Sequence, residues 1–194
     1  MSDISQVITQ ILNHPALAFV VIFLALVLIL HVNRARFVKN WLNFKTQYLL
    51  NRLGVEQLSN IQCSDELGNH FTIDRLILRP DGISLLVVKK YPGKIFCSDH
   101  IDHWSQMLGQ KSYRFTNPLF ELDYQVKAMS KHFSTDRIDG YLFFDHHATF
   151  PRGHPRRVIH PQNIPETLNA SVEGAVAPDT LLAWEKIKTM TDTA

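Results

Sequence analysis

The sequence predicts an α/β sandwich, a mixed sheet flanked by helices and preceded by one transmembrane helix. Three observations predict it: an unbroken apolar run over residues 16–30, a succession of short apolar strands separated by turn residues over 55–88, and a helical stripe over 119–129 followed by another strand.

The apolar run reads ALAFVVIFLALVLIL, and His31 and Val32 extend it to the lower edge of the roughly 17 to 25 residues that span a bilayer as a helix. A cleaved signal peptide needs positive charge before such a run and a small-residue cleavage site after it. Residues 1–15 hold no Lys or Arg, and HVNRAR follows the run. Arg34, Arg36, Lys39, Lys45 and Arg52 lie beyond the span and only Asp3 lies before it, so the positive-inside rule places the bulk of the chain in the cytoplasm. The expectation is a single-pass protein of the inner cell membrane, with a tail (1–14), a span (15–32) and a basic juxtamembrane segment (33–41). In the tail, Ile4, Val7, Ile8, Ile11 and Leu12 recur at helical spacing, which suits a segment lying on the membrane surface.

A folded domain is expected over 42–160. NWLNFKTQYLLNRLG, residues 40–54, reads as an amphipathic helix closed by Gly54, with Trp41, Phe44, Tyr48 and Leu49 on one side and that stripe in the core beyond Phe44. Strands follow at 55–63 and 70–78, joined by the turn residues DELGN, and Pro80-Asp81-Gly82 turns the chain into a third strand. The third strand carries four apolar residues in a row, Leu85 to Val88, and stops at Lys89, Lys90 and a Pro-Gly turn. After a short strand at 94–98 and a polar loop, Asn117-Pro118 opens a helix to about Phe133 with Leu119, Leu122, Val126 and Met129 as its buried stripe. Residues 138–144 return as a strand, and 157–160 form an edge strand. The final segment, 161–194, is a Pro-punctuated connector and a short helix over 180–190, capped by Asp179 or Thr180.

Composition excludes little beyond disorder. With 45% hydrophobic and 20% charged residues the chain is globular, and a formal charge of +2 announces neither nucleic acid nor an acidic partner in bulk. Any such partner must be met by a local patch. Cys63 and Cys97 have neither metal-ligand nor CxxC spacing and suit a reducing compartment.

Strand alternation puts Leu85, Val87 and Lys89 on one face, and Thr72, Asp74, Leu76 and Leu78 on one face of the preceding strand. An acid and a lysine at the same end of neighbouring strands can hold a divalent metal and orient a water for phosphodiester hydrolysis. They can equally form a half-buried salt bridge.

Four blocks carry a resemblance: IDR at 73–75, PDGISLLVVKKYPGKI, Trp104 with Gln106, and FTNPL at 115–119. In order and spacing they resemble the nuclease-related domain, NERD, of the PD-(D/E)XK nuclease superfamily, over about residues 42–147. The resemblance implies a restriction-endonuclease-like core in which an Asp on one strand and a Glu-x-Lys on the next bind magnesium and activate water. Asp74 matches the aspartate and Lys89 the lysine, but Val87 stands in place of the glutamate. Removing a carboxylate about 4 Å from a cation forfeits about 4 kcal/mol at an effective dielectric near 20. The Gly-Glu that usually opens the family's first helix is also missing from NFKTQYLL. Glu121, with Asp123 close behind, can replace the missing acid from the following helix, or can be an ordinary first-turn carboxylate favoured by the helix dipole.

The candidate catalytic residues are therefore Asp74, Lys89 and Glu121, with Asp74 and Glu121 as metal ligands and magnesium required only if the site is active. Lys90, Gln106, Arg152, Arg156 and Arg157 are the candidate nucleic-acid contacts, the arginines lying in PRGHPRR, which suits phosphates or anionic headgroups but also a solvated loop. DHIDH (99–103) and DHH (145–147) read as loop or strand-end residues. The expected function is a membrane-anchored, cytoplasmic binding or scaffolding module with an incomplete metal site and DNA or another nucleic acid as partner. Two alternatives stay open: an active magnesium-dependent nuclease using Asp74, Lys89 and Glu121, and a tethered interaction domain with no nucleic-acid partner.

Overall fold

The computed structural model describes residues 15–65, 67–168 and 174–191. The tail expected to lie on the membrane surface, 1–14, and the middle of the connector, 169–173, are outside the described residues. The chain divides into two compact units, Met1–Phe44 and Lys45–Ala194.

In the first unit the apolar run is helical, part of α1 (Pro15–Leu50). Large apolar side chains project from every side of it and are exposed, among them Phe19, Phe23, Leu26, Ile29 and Val32. Among the described residues no single helix is long and apolar enough to cross a membrane, whereas two segments bent against each other, Ala18–Arg34 and Arg36–Leu50, meet that description together. The stripe beyond Phe44 departs from the expected core reading. Tyr48 is exposed and Leu49 only half-buried, and the buried residues at the helix end are Thr46 and Leu50. Hydropathy placed Tyr48 and Leu49 inward, but the polar Thr46 turns towards the core and its hydroxyl meets His146 Nδ1 at 3.1 Å. Gly54 does adopt a left-handed φ of 63°, yet it lies beyond the helix end and serves the turn into the first strand.

The second unit carries two mixed sheets flanked by helices where the sequence predicted one sheet. The larger holds β1 (Glu56–Ser64), β2 (His70–Arg79), β3 (Gly82–Lys89), β7 (Ile138–Phe144) and β9 (Val158–Ile159), in the order β1-β2-β3-β7-β9. The first three form the predicted antiparallel meander, and β7 and β9 add in parallel. The smaller sheet runs β6-β5-β4-β8, from β4 (Gly93–Phe96), β5 (His103–Leu108), β6 (Lys111–Thr116) and β8 (Ala148–Thr149). Its β5–β6 hairpin occupies the stretch predicted to be a polar loop. KSYRFT is almost wholly exposed, so no hydropathy alternation marks it, and cross-strand pairing to β5 holds it extended.

A parallel β3–β7 pair requires a crossover, and the connection contains α2 (Pro118–Phe133). Asn117 caps α2 by accepting the Leu119 N–H at 3.0 Å, and its own amide donates to Ile101 O at 2.9 Å. This ties the helix start to the chain leading into β5. Leu119, Leu122 and Met129 pack with Trp184 and Ile187 of α3 (Pro178–Thr191) on one face of the large sheet, against Leu76, Leu78, Leu85 and Val87. Gly140 permits the contact, since a Cβ there would lie 2.7 Å from Val126 Cγ2 and 2.9 Å from Leu122 Cδ1. The opposite face packs Ile77, Leu86 and Phe143 against Leu50, Leu53 and Leu168.

Candidate functional site

Asp74 stands where the meander forks, whereas Lys89 and Glu121 meet at the end of β3. Pairing between β2 and β3 ends at Arg75↔Leu86, while β3 continues with β7 as far as Lys89↔Phe144. Asp74 stands just beyond the last β2–β3 pair, and its Oδ2 accepts the backbone N–H of Val88 at 2.7 Å. A carboxylate thus substitutes for the carbonyl that the diverging strand no longer offers.

The strand geometry explains why Asp74 is at this point. Asn60 of β1 has a left-handed φ of 55° and falls in the gap of a register that passes from Ser59↔Arg75 to Ile61↔Ile73. Strict alternation fails there. Leu58 and Ile61, three apart, reach the same apolar cluster, as do Leu76 and Ile73 on β2. Asp74 sits opposite the irregular residue.

Lys89 ends β3 and reaches α2. Its Nζ lies 3.0 Å from Glu121 Oε2, with the lysine side chain 19% exposed and the carboxylate 56% exposed. The acid proposed from the helix is therefore beside the lysine, held there by the Asn117 cap and the favourable first-turn position. Val87, on β3 just before the Val88 amide that Asp74 accepts, is 6% exposed and packs in the apolar cluster.

Arg75 was part of a matched block with no assigned role. Its guanidinium donates to Gln47 Oε1, Asn51 Oδ1 and Gln57 Oε1 at 2.9 to 3.1 Å, tying β2 to the helix end. Burial lowers its pKa, partly offset by the Asp74 charge. Nothing in the spacing signalled this, because its three partners come from elements whose packing is set elsewhere.

The remaining candidates scatter. Gln106 is buried and donates to Pro92 O at 2.7 Å, pinning the turn after Lys89 and Lys90. Lys90 and Arg156 are exposed. Arg157 is bonded to Asp123, which raises its pKa, and the Arg152 guanidinium carbon lies 5.7 Å from the centroid of the Phe96 ring. Both thiols are free, and burial pushes Cys63 up to about 11 and Cys97 up to about 12, so neither is a ready nucleophile.

The donor set can be tested against magnesium. One Asp74 oxygen already serves a backbone amide, Glu121 is engaged by a lysine, and the intervening position is a buried valine. Among the described residues no three His, Cys, Asp or Glu side chains are grouped to hold a metal ion. Asp74 and Glu121 are the carboxylates that could hold magnesium here, and the position where the resemblance implies a further one is the buried Val87.

The second unit is a mixed α/β domain with an aspartate at the β2–β3 fork and a lysine at the end of β3. The family model for the nuclease-related domain, NERD, matches residues 35–151, and the chain belongs to that family. No curated protein and no solved structure is significantly similar to the chain.

Proposed function

We propose that the chain is a membrane-anchored binding module with a nuclease-related domain of PD-(D/E)XK type whose metal site is incomplete, and that nucleic acid is its partner. The observation that carries this reading is Val87, an apolar side chain 6% exposed in the core at the position where the resemblance places a metal-binding glutamate. Burying a carboxylate there without a cation costs several kcal/mol, so the wall is built for packing.

Anchoring is supported by the first unit, where residues 19–32 expose apolar side chains all round the helix, a pattern that suits lipid rather than water. Arg34, Arg36 and Lys39 follow the run, which supports a single pass through the inner cell membrane with the domain in the cytoplasm.

A second reading, an active magnesium-dependent nuclease, is favoured by one contact, the 3.0 Å approach of Glu121 to Lys89. One experiment separates the two. The full-length protein, purified in a non-ionic detergent, is incubated with single- and double-stranded DNA with and without magnesium. The binding module retains DNA and leaves it intact. Cleavage that requires magnesium and disappears in both Glu121→Gln and Lys89→Ala, with the fold preserved, would establish the nuclease instead.

A further inference from the structure

We propose that the outer face of the four-stranded sheet is a platform for single-stranded nucleic acid. The inference rests on the nucleic-acid reading above and locates the surface that carries it, away from the β2–β3 fork.

Register sorts the side chains. Lys94 pairs with Met107 and with Thr149, Met107 with Ser112, Phe96 with Ser105, and Ser105 with Arg114. Directly opposed residues share a face, so Lys94, Phe96 and Arg114 lie on one side. The other side holds Ile95, Trp104 and Gln106, which are buried. Phe96 joins neither apolar cluster of the unit. The ring is half-buried, and the Arg152 guanidinium carbon lies 5.7 Å from its centroid, over one face. Arg114 is held on the same face by His103, with Nη2 at 3.2 Å from Nδ1.

Charge is segregated as well. The strands GKIF, HWSQML, KSYRFT and AT contain no Asp or Glu, whereas the larger sheet carries Glu56, Asp74 and Asp139. The nearest acids along the chain are Asp99 and Asp102, in the connection before β5, and Asp145, shortly before β8. A chain with a formal charge of only +2 therefore keeps one sheet free of carboxylates. Lys94, Arg114 and Arg152 can meet successive phosphates, and Phe96 offers a face on which a base stacks. A duplex hides its base faces, so an aromatic on a flat sheet selects unpaired bases. An anionic lipid surface would use the same cations but would gain nothing specific from the ring.

The test measures anisotropy of a labelled mixed-sequence oligonucleotide of about 15 nucleotides, a length suited to one sheet-sized site. The full-length protein is used in non-ionic detergent, and thermal melts confirm that each variant is folded. Phe96→Leu should weaken single-strand binding about tenfold, the scale of one lost stacking contact. The double variant Lys94→Gln/Arg114→Gln should weaken it further and flatten its dependence on salt, while Lys127→Gln, the same kind of charge change on the exposed surface of α2, should alter affinity less than about twofold. Wild type should prefer the single strand over the matching duplex. Wild-type binding undiminished in the platform variants would overturn this inference and leave the nucleic-acid reading standing. No wild-type binding at all would overturn both, and loss of binding to phosphatidylserine carried in mixed detergent micelles, with oligonucleotide affinity intact, would identify the face as a lipid contact and overturn the inference.

Discussion

The Val88 backbone amide donates to Asp74 Oδ2 at 2.7 Å, so the carboxylate at the proposed nuclease position is also the group that closes the fork between β2 and β3. Asp74→Ala leaves that amide without its acceptor and should cost about 1–3 kcal/mol. Asp74→Asn keeps a side-chain carbonyl that can accept the same bond and should cost clearly less. Urea denaturation of the two variants checks this, and equal losses would show that the bond contributes nothing.

Val87→Glu places a carboxylate in the apolar cluster and should destabilise the domain by about 2–4 kcal/mol. The new side chain would restore the pattern of the family next to Asp74. If the fork is a latent metal site, millimolar magnesium should raise the melting temperature of Val87→Glu and leave wild type unchanged. No rise in the variant would mean that the fork geometry cannot assemble a site even with the acid supplied.

Arg75→Ala should loosen the end of α1, because three side-chain acceptors on Gln47, Asn51 and Gln57 lose their donor together. The expected cost is about 2 kcal/mol, as for hydrogen bonds to a charged group. Hydrogen exchange should quicken across residues 47–57 while the β3–β7 pairing stays protected.

Acid should weaken the second unit through His146 and His160. Burial lowers both pKa values, with His147 next among the causes for His146. The folded state therefore binds these protons less readily than the unfolded state, whose histidines titrate near their ordinary value of about 6.5. Stability should be level above about pH 6.5 and fall as the pH drops below it. His146 Nε2 and His160 Nε2 are buried without hydrogen-bond partners, so a charged ring would keep one N–H unsatisfied there. A melting-temperature series from pH 8 to pH 5 should show a smaller drop in His146→Gln/His160→Gln than in wild type.

Topology is checked by thiol labelling of intact cells, in a background where Cys63 and Cys97 are replaced by serine. A cysteine placed at residue 5 should react with an impermeant reagent, and one placed at the exposed Lys127 should not. The reverse pattern would invert the proposed orientation.

Much of this arrangement is local, and local features can be read from residue order alone. Strand β7 falls on the predicted residues, and α2 begins at its Asn-Pro cap, because apolar periodicity and cap chemistry act within a few residues. The sequence likewise singled out Lys89, an ionisable group at the mouth of an apolar strand, and Asp74, a carboxylate among apolar neighbours, both visible without a structure. The hairpin of β5 and β6 was not visible, because its outer strand is polar and is held by a partner rather than by its own hydropathy. The stripe beyond Phe44, with Tyr48, misled for the converse reason: periodicity identifies an apolar face but not whether another element covers it. Only the tertiary structure decided that Glu121, 32 residues from Lys89, would meet it, and that Asn60 would break the alternation opposite Asp74. Both depend on where one element comes to rest against another, a relation set by packing across the whole domain and written in no short stretch of the chain.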